Sequence, residues 1–268
     1  MTVVLDGAIG TVLSDLGIAT PAPLWSAAAV RDNPDVIAAL HAAYAAAGAT
    51  VHTAATFRSA AASAGSASAA LTRRAVGLAR GAVPRGHRVA GSLAPIHDCW
   101  RPALSPPNAI DAHRRFAALL AEAGCDLLLA ETFAGPDEAY AATRACVETG
   151  LPTWVALTPG FDGSLMTPVE LTRAARRVAD VGAEVVLVNC FPVAQADRWV
   201  DALASIGTPW GVYANAGEPG DPHASGTPGA SSRYADLVQG WVDRGASVVG
   251  GCCGTSPSHI RAWTDRIG

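Results

Sequence analysis

The sequence is expected to fold as a single-domain (β/α)8 TIM barrel spanning residues 1–268. Three observations point there. Eight short apolar runs recur along the chain, helical segments lie between them, and a glycine follows six of those segments. A chain of roughly 250 residues is the usual size of such a barrel, which forms one domain. A doubly wound open sheet is the competing architecture for the same alternation.

The strand-like runs are Val3–Leu5, Thr50–Thr56, Arg88–Leu93, Asp126–Thr132, Thr153–Thr158, Val185–Cys190, Trp210–Asn215 and Ser247–Cys252. Several are nearly continuous in apolar residues, as strands buried on both faces of a parallel sheet must be. Between Asn33 and Ala47, apolar residues fall at Val36, Ile37, Leu40, Tyr44 and Ala47, a helical period. Further helices are expected at Ala112–Ala123, Pro136–Thr149, Pro168–Val181, Ala194–Ile206 and Ser232–Arg244. A last helix should start at Thr255-Ser256-Pro257, a capping residue followed by proline. Gly48, Gly124, Gly150, Gly182, Gly207 and Gly245 stand where helices stop. The Ala/Ser stretch Ser59–Ala70 reads as a loop leading into an Ala-rich helix. Ala94–Asn108 and Ala216–Ser231 read as long βα loops. Such loops lie on the catalytic face of a barrel.

Composition excludes several functions. All 19 basic side chains are arginine, so no lysine is available for a Schiff base or a P-loop. The net charge is −4 and no basic tract occurs, which argues against nucleic acid as a partner. Val36–Phe57 lacks Asp, Glu, Arg and Lys. It is mostly alanine, however, holds His41 and His52, and is broken by Gly48, so helix and then strand is expected rather than a membrane span. With no export segment ahead of the first strand, a cytoplasmic protein with reduced thiols is expected. Nothing in the sequence specifies an oligomeric state.

In a barrel the C-terminal ends of the strands converge on one rim. Those ends carry Asp6, Thr53 and Thr56, Ser92, Glu131, Thr158, Cys190, Asn215, and Cys252-Cys253. Glycines flank the cysteine pair, so its backbone can bend to turn both sulfurs toward one point, and Cys190 from a nearby strand supplies a third. Three thiolates with an open fourth position suit a catalytic zinc ion. A thiol bound there loses its proton and stays electron-rich. The other reading of the trio is buried structural cysteine.

At this point the residues resemble a known family. GGCCGTSPSHI (Gly250–Ile260) resembles the C-terminal signature of the homocysteine S-methyltransferases, and LDGAIGTVL (Leu5–Leu13) their N-terminal one. NPDVIAALHAAYAAAGATVHTAATF, VAGSLAP, DLLLAETF, VLVNC and VYANAGEP follow in the family's order, so the resemblance covers nearly the whole chain. It implies a TIM barrel, zinc on Cys190, Cys252 and Cys253, and methyl transfer to homocysteine sulfur in methionine biosynthesis. It also implies that Asp6 and Glu131 hold the amino group of homocysteine. Backbone N–H groups of the Gly7–Thr11 turn are candidates for its carboxylate, and Thr56, Ser92 and Asn215 are further candidate substrate contacts. Asn215 could equally orient a loop.

Three departures from the family's pattern stand out. Ala8 follows Asp6-Gly7 where a second glycine is common, Ala54-Ala55 precedes Thr56-Phe57 where Thr-Asn is common, and Leu93–Trp100 replaces a Leu-Gly-Pro-Tyr-Gly stretch. Cys99 and His97 fall in that last loop. His52 and His259 are expected to pack or cap. A sulfonium donor, S-methylmethionine or S-adenosylmethionine, is expected ahead of betaine, and could rest on an aromatic face such as Phe57 or Trp100. Rival readings on the same barrel are a zinc-dependent hydrolase or lyase and a non-enzymatic zinc- or thiol-binding protein.

Overall fold

The computed structural model of the chain describes residues 2–267. Elements follow in the order β1 (Val3–Val4), α1 (Gly10–Asp15), α2 (Ser26–Asp32), α3 (Pro34–Ala46), β2 (Val51–Thr53), α4 (Ala61–Ala64), α5 (Ser68–Ala82), β3 (Arg88–Leu93), α6 (Ala109–Glu122), β4 (Leu127–Phe133), α7 (Pro136–Val147), β5 (Thr153–Leu157), α8 (Pro168–Val181), β6 (Val185–Pro192), α9 (Ala196–Ala204), β7 (Trp210–Asn215), α10 (Ala230–Asp243), β8 (Val248–Val249) and α11 (Pro257–Ile267). All strand pairs are parallel, in the order β1-β8-β7-β6-β5-β4-β3-β2. A parallel bridge between Leu5 and Val51 joins the two ends, so the sheet closes as a (β/α)8 barrel. Among the described residues, no helix is long and apolar enough to cross a membrane.

The period of two in each strand sorts its side chains between two cores. Leu5, Val51, Ala90, Leu127, Leu129, Trp154, Ala156, Val185, Leu187, Tyr213 and Val248 pack together inside the barrel. Val4, Val89, Leu128, Ala130, Val155, Leu157, Val186, Val188, Val212 and Val249 join the helices in the outer core. This is why the strands read as continuous apolar runs: both faces are buried.

All six glycines expected at helix ends have positive φ, from 78° at Gly150 to 117° at Gly182. Pro168–Val181 starts as expected, with Thr167 and Glu170 forming a reciprocal capping box. Proline follows Asn33 at the start of α3, but the Asn33 side chain makes no capping bond. The first and fifth strands each stop one residue early, and two others are much shorter than expected. The second ends at Thr53, and the eighth holds only Val248 and Val249 before the glycine-rich turn begins. The sequence does not signal α1 and α2. They fill the long first βα connection and cover one side of the barrel mouth.

Candidate active site

Two strand ends abandon regular geometry, and both face the barrel mouth. Alternation that points Leu127 and Leu129 inward also points Glu131 inward. The next residue, Thr132, has φ 65°, and the β4–β5 register shifts between Ala130 and Phe133. In β6, Val185 and Leu187 point inward; then Cys190 has φ 55°, and the β6–β7 register shifts between Asn189 and Pro192. By simple alternation Thr132 and Cys190 would face the helices. The bulges turn both toward the cavity, which they line. Side-chain hydrogen bonds hold this geometry: Asn189 Nδ2 donates to Thr132 Oγ1 at 2.9 Å, and Thr158 Oγ1 donates to the Cys190 carbonyl at 3.3 Å.

The cysteine pair is fixed by β7 and the first turn. Cys252 N donates to the Ala214 carbonyl at 2.9 Å, Cys253 N to Asn215 Oδ1 at 3.1 Å, and Ala216 N to the Cys253 carbonyl at 2.9 Å. Gly254 N donates to Thr11 Oγ1 at 3.1 Å. Gly254 sits at φ 77°, and a Cβ there would meet the Gly217 carbonyl oxygen at 2.2 Å, so no other residue fits this turn. The Sγ atoms of Cys190, Cys252 and Cys253 thereby lie within 4.8 Å of one another, with Cys190–Cys253 at 3.9 Å. Hydrogen bonding within the trio pushes Cys190 up and Cys253 down, the behaviour of crowded thiols that share protons. Three soft donors that can converge without a disulfide suit a zinc ion and leave a position open toward the cavity.

Two carboxylates share the same cavity. Asp6 Oδ2 accepts from Thr53 N at 2.8 Å, and burial pushes its carboxyl up to about 8. Glu131 accepts from Ser92 Oγ through one oxygen and from Tyr213 OH, at 3.0 Å, through the other. Burial pushes Glu131 up to about 6, and those two donors restrain the rise. Among the described residues no cationic side chain is bonded to either buried acid, so a cation entering the cavity can pair with them.

The cavity measures about 390 Å³. Asp6, Gly7, Thr11, Ser92, Glu131, Cys190, Cys252 and Cys253 line it, as do Phe57, Cys99 and Trp100. Thr56 and Asn215 lie outside its lining. Thr56 is buried and donates to the Ser92 carbonyl at 2.9 Å, and Asn215 holds the Cys253 amide. His259 caps α11: its Nδ1 accepts from Ser256 N at 3.1 Å, which leaves the proton on Nε2 for the His223 carbonyl at 2.8 Å. His52 is fully buried behind the site.

Sequence reading missed Tyr213, Trp25, Phe161 and Arg58. Tyr213 was legible as an inward position, two residues before Asn215 on β7. Trp25 stacks on Phe57 at 5.7 Å, and Phe161 packs on Trp100 at 4.0 Å, so two aromatic pairs line the mouth. Arg58 lies over Trp25 and Phe57 and donates to the carbonyls of Pro95 and His97 at 2.9 and 2.8 Å, pinning the departing loop. That loop buries Cys99, and burial pushes its thiol up to about 11, so it stays protonated at neutral pH.

Residues 3–267 match the family model described as homocysteine S-methyltransferase. The homocysteine S-methyltransferase YbgG of Bacillus subtilis is 28% identical across 99% of this chain and 95% of its own length. The selenocysteine Se-methyltransferase of Brassica oleracea var. italica is 31% identical over 59% of this chain, and that match spans about half its length, 48%. Among solved structures, the metallated form of the homocysteine methyltransferase MmuM from Escherichia coli superposes with a TM-score of 0.81 at 25% identity, covering 99% of this chain and 96% of that one.

Proposed function

The chain belongs to the homocysteine S-methyltransferase family, and from that premise we propose a zinc-dependent transfer of a methyl group from a sulfonium donor to homocysteine, giving methionine. The observation that carries the reading is one cavity lined by three clustered cysteine sulfurs and two buried carboxylates. Cys190, Cys252 and Cys253 would hold the zinc ion. Bound there, zinc would supply Lewis acidity that favours the thiolate form of an acceptor at neutral pH, and three anionic ligands would leave that sulfur electron-rich.

Asp6 and Glu131 receive the α-ammonium of the acceptor. An ammonium between them favours the charged form of both carboxyls, so binding expels the proton that burial leaves on Asp6. Ser92 and Tyr213 aim Glu131. Backbone N–H groups of the Gly7–Thr11 turn offer donors to the acceptor carboxylate. The ammonium and carboxylate contacts together fix where the acceptor sulfur lies. A positively charged donor faces Trp25, Phe57, Trp100 and Phe161 at the mouth, where aromatic faces attract the sulfonium.

The transfer balances without a covalent enzyme intermediate. A lone pair of the acceptor sulfur forms the new bond to the methyl carbon. The bond to the donor sulfur breaks, and its electron pair leaves the donor as a neutral thioether, S-methylmethionine giving methionine and S-adenosylmethionine giving S-adenosylhomocysteine. The acceptor's thiol proton is released. The protein contributes alignment and water exclusion.

Mass spectrometry of incubations with homocysteine and, separately, S-methylmethionine, S-adenosylmethionine and betaine tests this. Methionine formation with a sulfonium donor, lost together with bound zinc in Cys252→Ala, is the expected result. Full transfer by metal-free Cys252→Ala, or turnover of donors without any thiol acceptor, would sink it.

A further inference from the structure

Behind the cavity wall lies a second cluster of ligating side chains. A carboxylate oxygen of Asp6, a ring nitrogen of His41 from α3 and a ring nitrogen of His52 from β2 lie within 4.8 Å of one another, all buried. His41 and His52 have no solvent exposure, at 0% each. Among the described residues, both nitrogens of His41 and Nδ1 of His52 lack any hydrogen-bond partner. Three unpartnered ring nitrogens in one buried spot are costly, since native interiors pair such groups with protein, water or an ion.

We propose that Asp6, His41 and His52 form a second metal site, a two-histidine, one-carboxylate set that takes a divalent cation of the zinc class. Imidazole and carboxylate are the donors such ions prefer, in contrast to the soft thiolates of the cysteine trio. Burial drives His41 down to about 4 and His52 down to about 3, so both rings are neutral, the form that ligates. His87 supplies the outer contact that orients a ligating histidine: His52 Nε2 and His87 Nδ1 are 3.0 Å apart. With the shared proton on His52 Nε2, its Nδ1 is a bare lone pair that a cation satisfies. The Ala49 backbone lies near the His52 ring, but no hydrogen bond to Nδ1 forms among the described residues. Asp6 also lines the cavity, so an ion here bears directly on the acid that faces the substrate. The inference rests on this geometry and not on the methyl-transfer reading.

The test is metal stoichiometry on the full-length, reduced, chelator-stripped protein. Zn2+ is added back, free metal is removed, and bound metal is counted by mass spectrometry. Two ions per chain are expected in the unaltered protein, and one in His41→Gln and His52→Gln. Co2+ titration separates the sites by spectrum: one equivalent brings thiolate-to-cobalt charge transfer, and the other brings only visible ligand-field bands. Saturation at one ion per chain overturns the proposal, as does a second equivalent that also carries thiolate charge transfer. Retention of two ions by both folded histidine variants overturns it too. If the variants do not fold, the count and spectra of the unaltered protein decide.

Discussion

The Asn189 side-chain amide donates to Thr132 Oγ1 at 2.9 Å, tying β6 to β4 past the intervening β5. Each partner adjoins a residue of the site, Cys190 in one strand and Glu131 in the other. Thr132 and Cys190 hold left-handed backbone that branched and ordinary side chains avoid, at a cost of roughly 1–3 kcal/mol each. The hydrogen bond helps offset that strain at the place where a thiol and a carboxylate must share a cavity.

Asn189→Ala removes the tie and leaves the buried Thr132 hydroxyl without its donor. A loss of about 1–3 kcal/mol in stability is expected, read as a lower urea midpoint. Weaker metal retention should accompany it, because Cys190 is released from its bulge. Unchanged stability and metal affinity would show that the bulges hold themselves.

Tyr213→Phe deletes one of the two hydroxyls that hold Glu131 ionised. The Glu131 carboxyl should rise further above about 6, and the acid limb of the kcat/KM profile should move to higher pH. A hydrogen bond to a charged group is worth about 1.5–3 kcal/mol, so kcat/KM for homocysteine near pH 7 should fall on the order of tenfold to a hundredfold. Most of that loss belongs in KM.

Asn215→Ala tests whether a residue outside the cavity governs the cysteine turn. Its Oδ1 accepts the Cys253 amide at 3.1 Å, and removal frees that N–H. Groups that orient metal ligands typically contribute about tenfold to a hundredfold in affinity. Competition against a calibrated chelator should show a loss of that size, with near-native circular dichroism.

Asp6 gives the substrate-free, metal-free protein a pH dependence of stability with a defined sign. Its carboxyl is pushed from an ordinary 3.8 up to about 8, so between those values the folded chain holds a proton that the unfolded chain has lost. This contribution to stability therefore falls as pH rises across the window. Asp6→Asn should flatten the decline in urea midpoint between about pH 5 and pH 8. A decline of unchanged slope would assign it to other groups.

The barrel was legible in the sequence because its signals are local. Continuous apolar strands follow from burial on both faces, and glycines at six helix ends follow from left-handed caps that side chains disfavour. The three cysteines, Asp6 and Glu131 were legible because strand ends of a barrel share one rim, and the resemblance to the homocysteine S-methyltransferases assigned them roles. What only the tertiary structure decided depends on contacts between distant residues. Alternation alone would have turned Cys190 and Thr132 toward the helices; the bulges that reverse them are held by Asn189 and Thr158. Tyr213 reads as an ordinary core aromatic until its hydroxyl meets Glu131, 82 residues away. Thr56 and Asn215 sit near strand ends, yet their side chains bond to backbone beside the cavity rather than line it. His52 reads as a packing or capping residue by itself, and joins His41 and Asp6 as a ligand set only when α3 lies against β2. Local preference fixes where strands and helices begin; which polar atoms find partners is settled only when the chain has closed on itself.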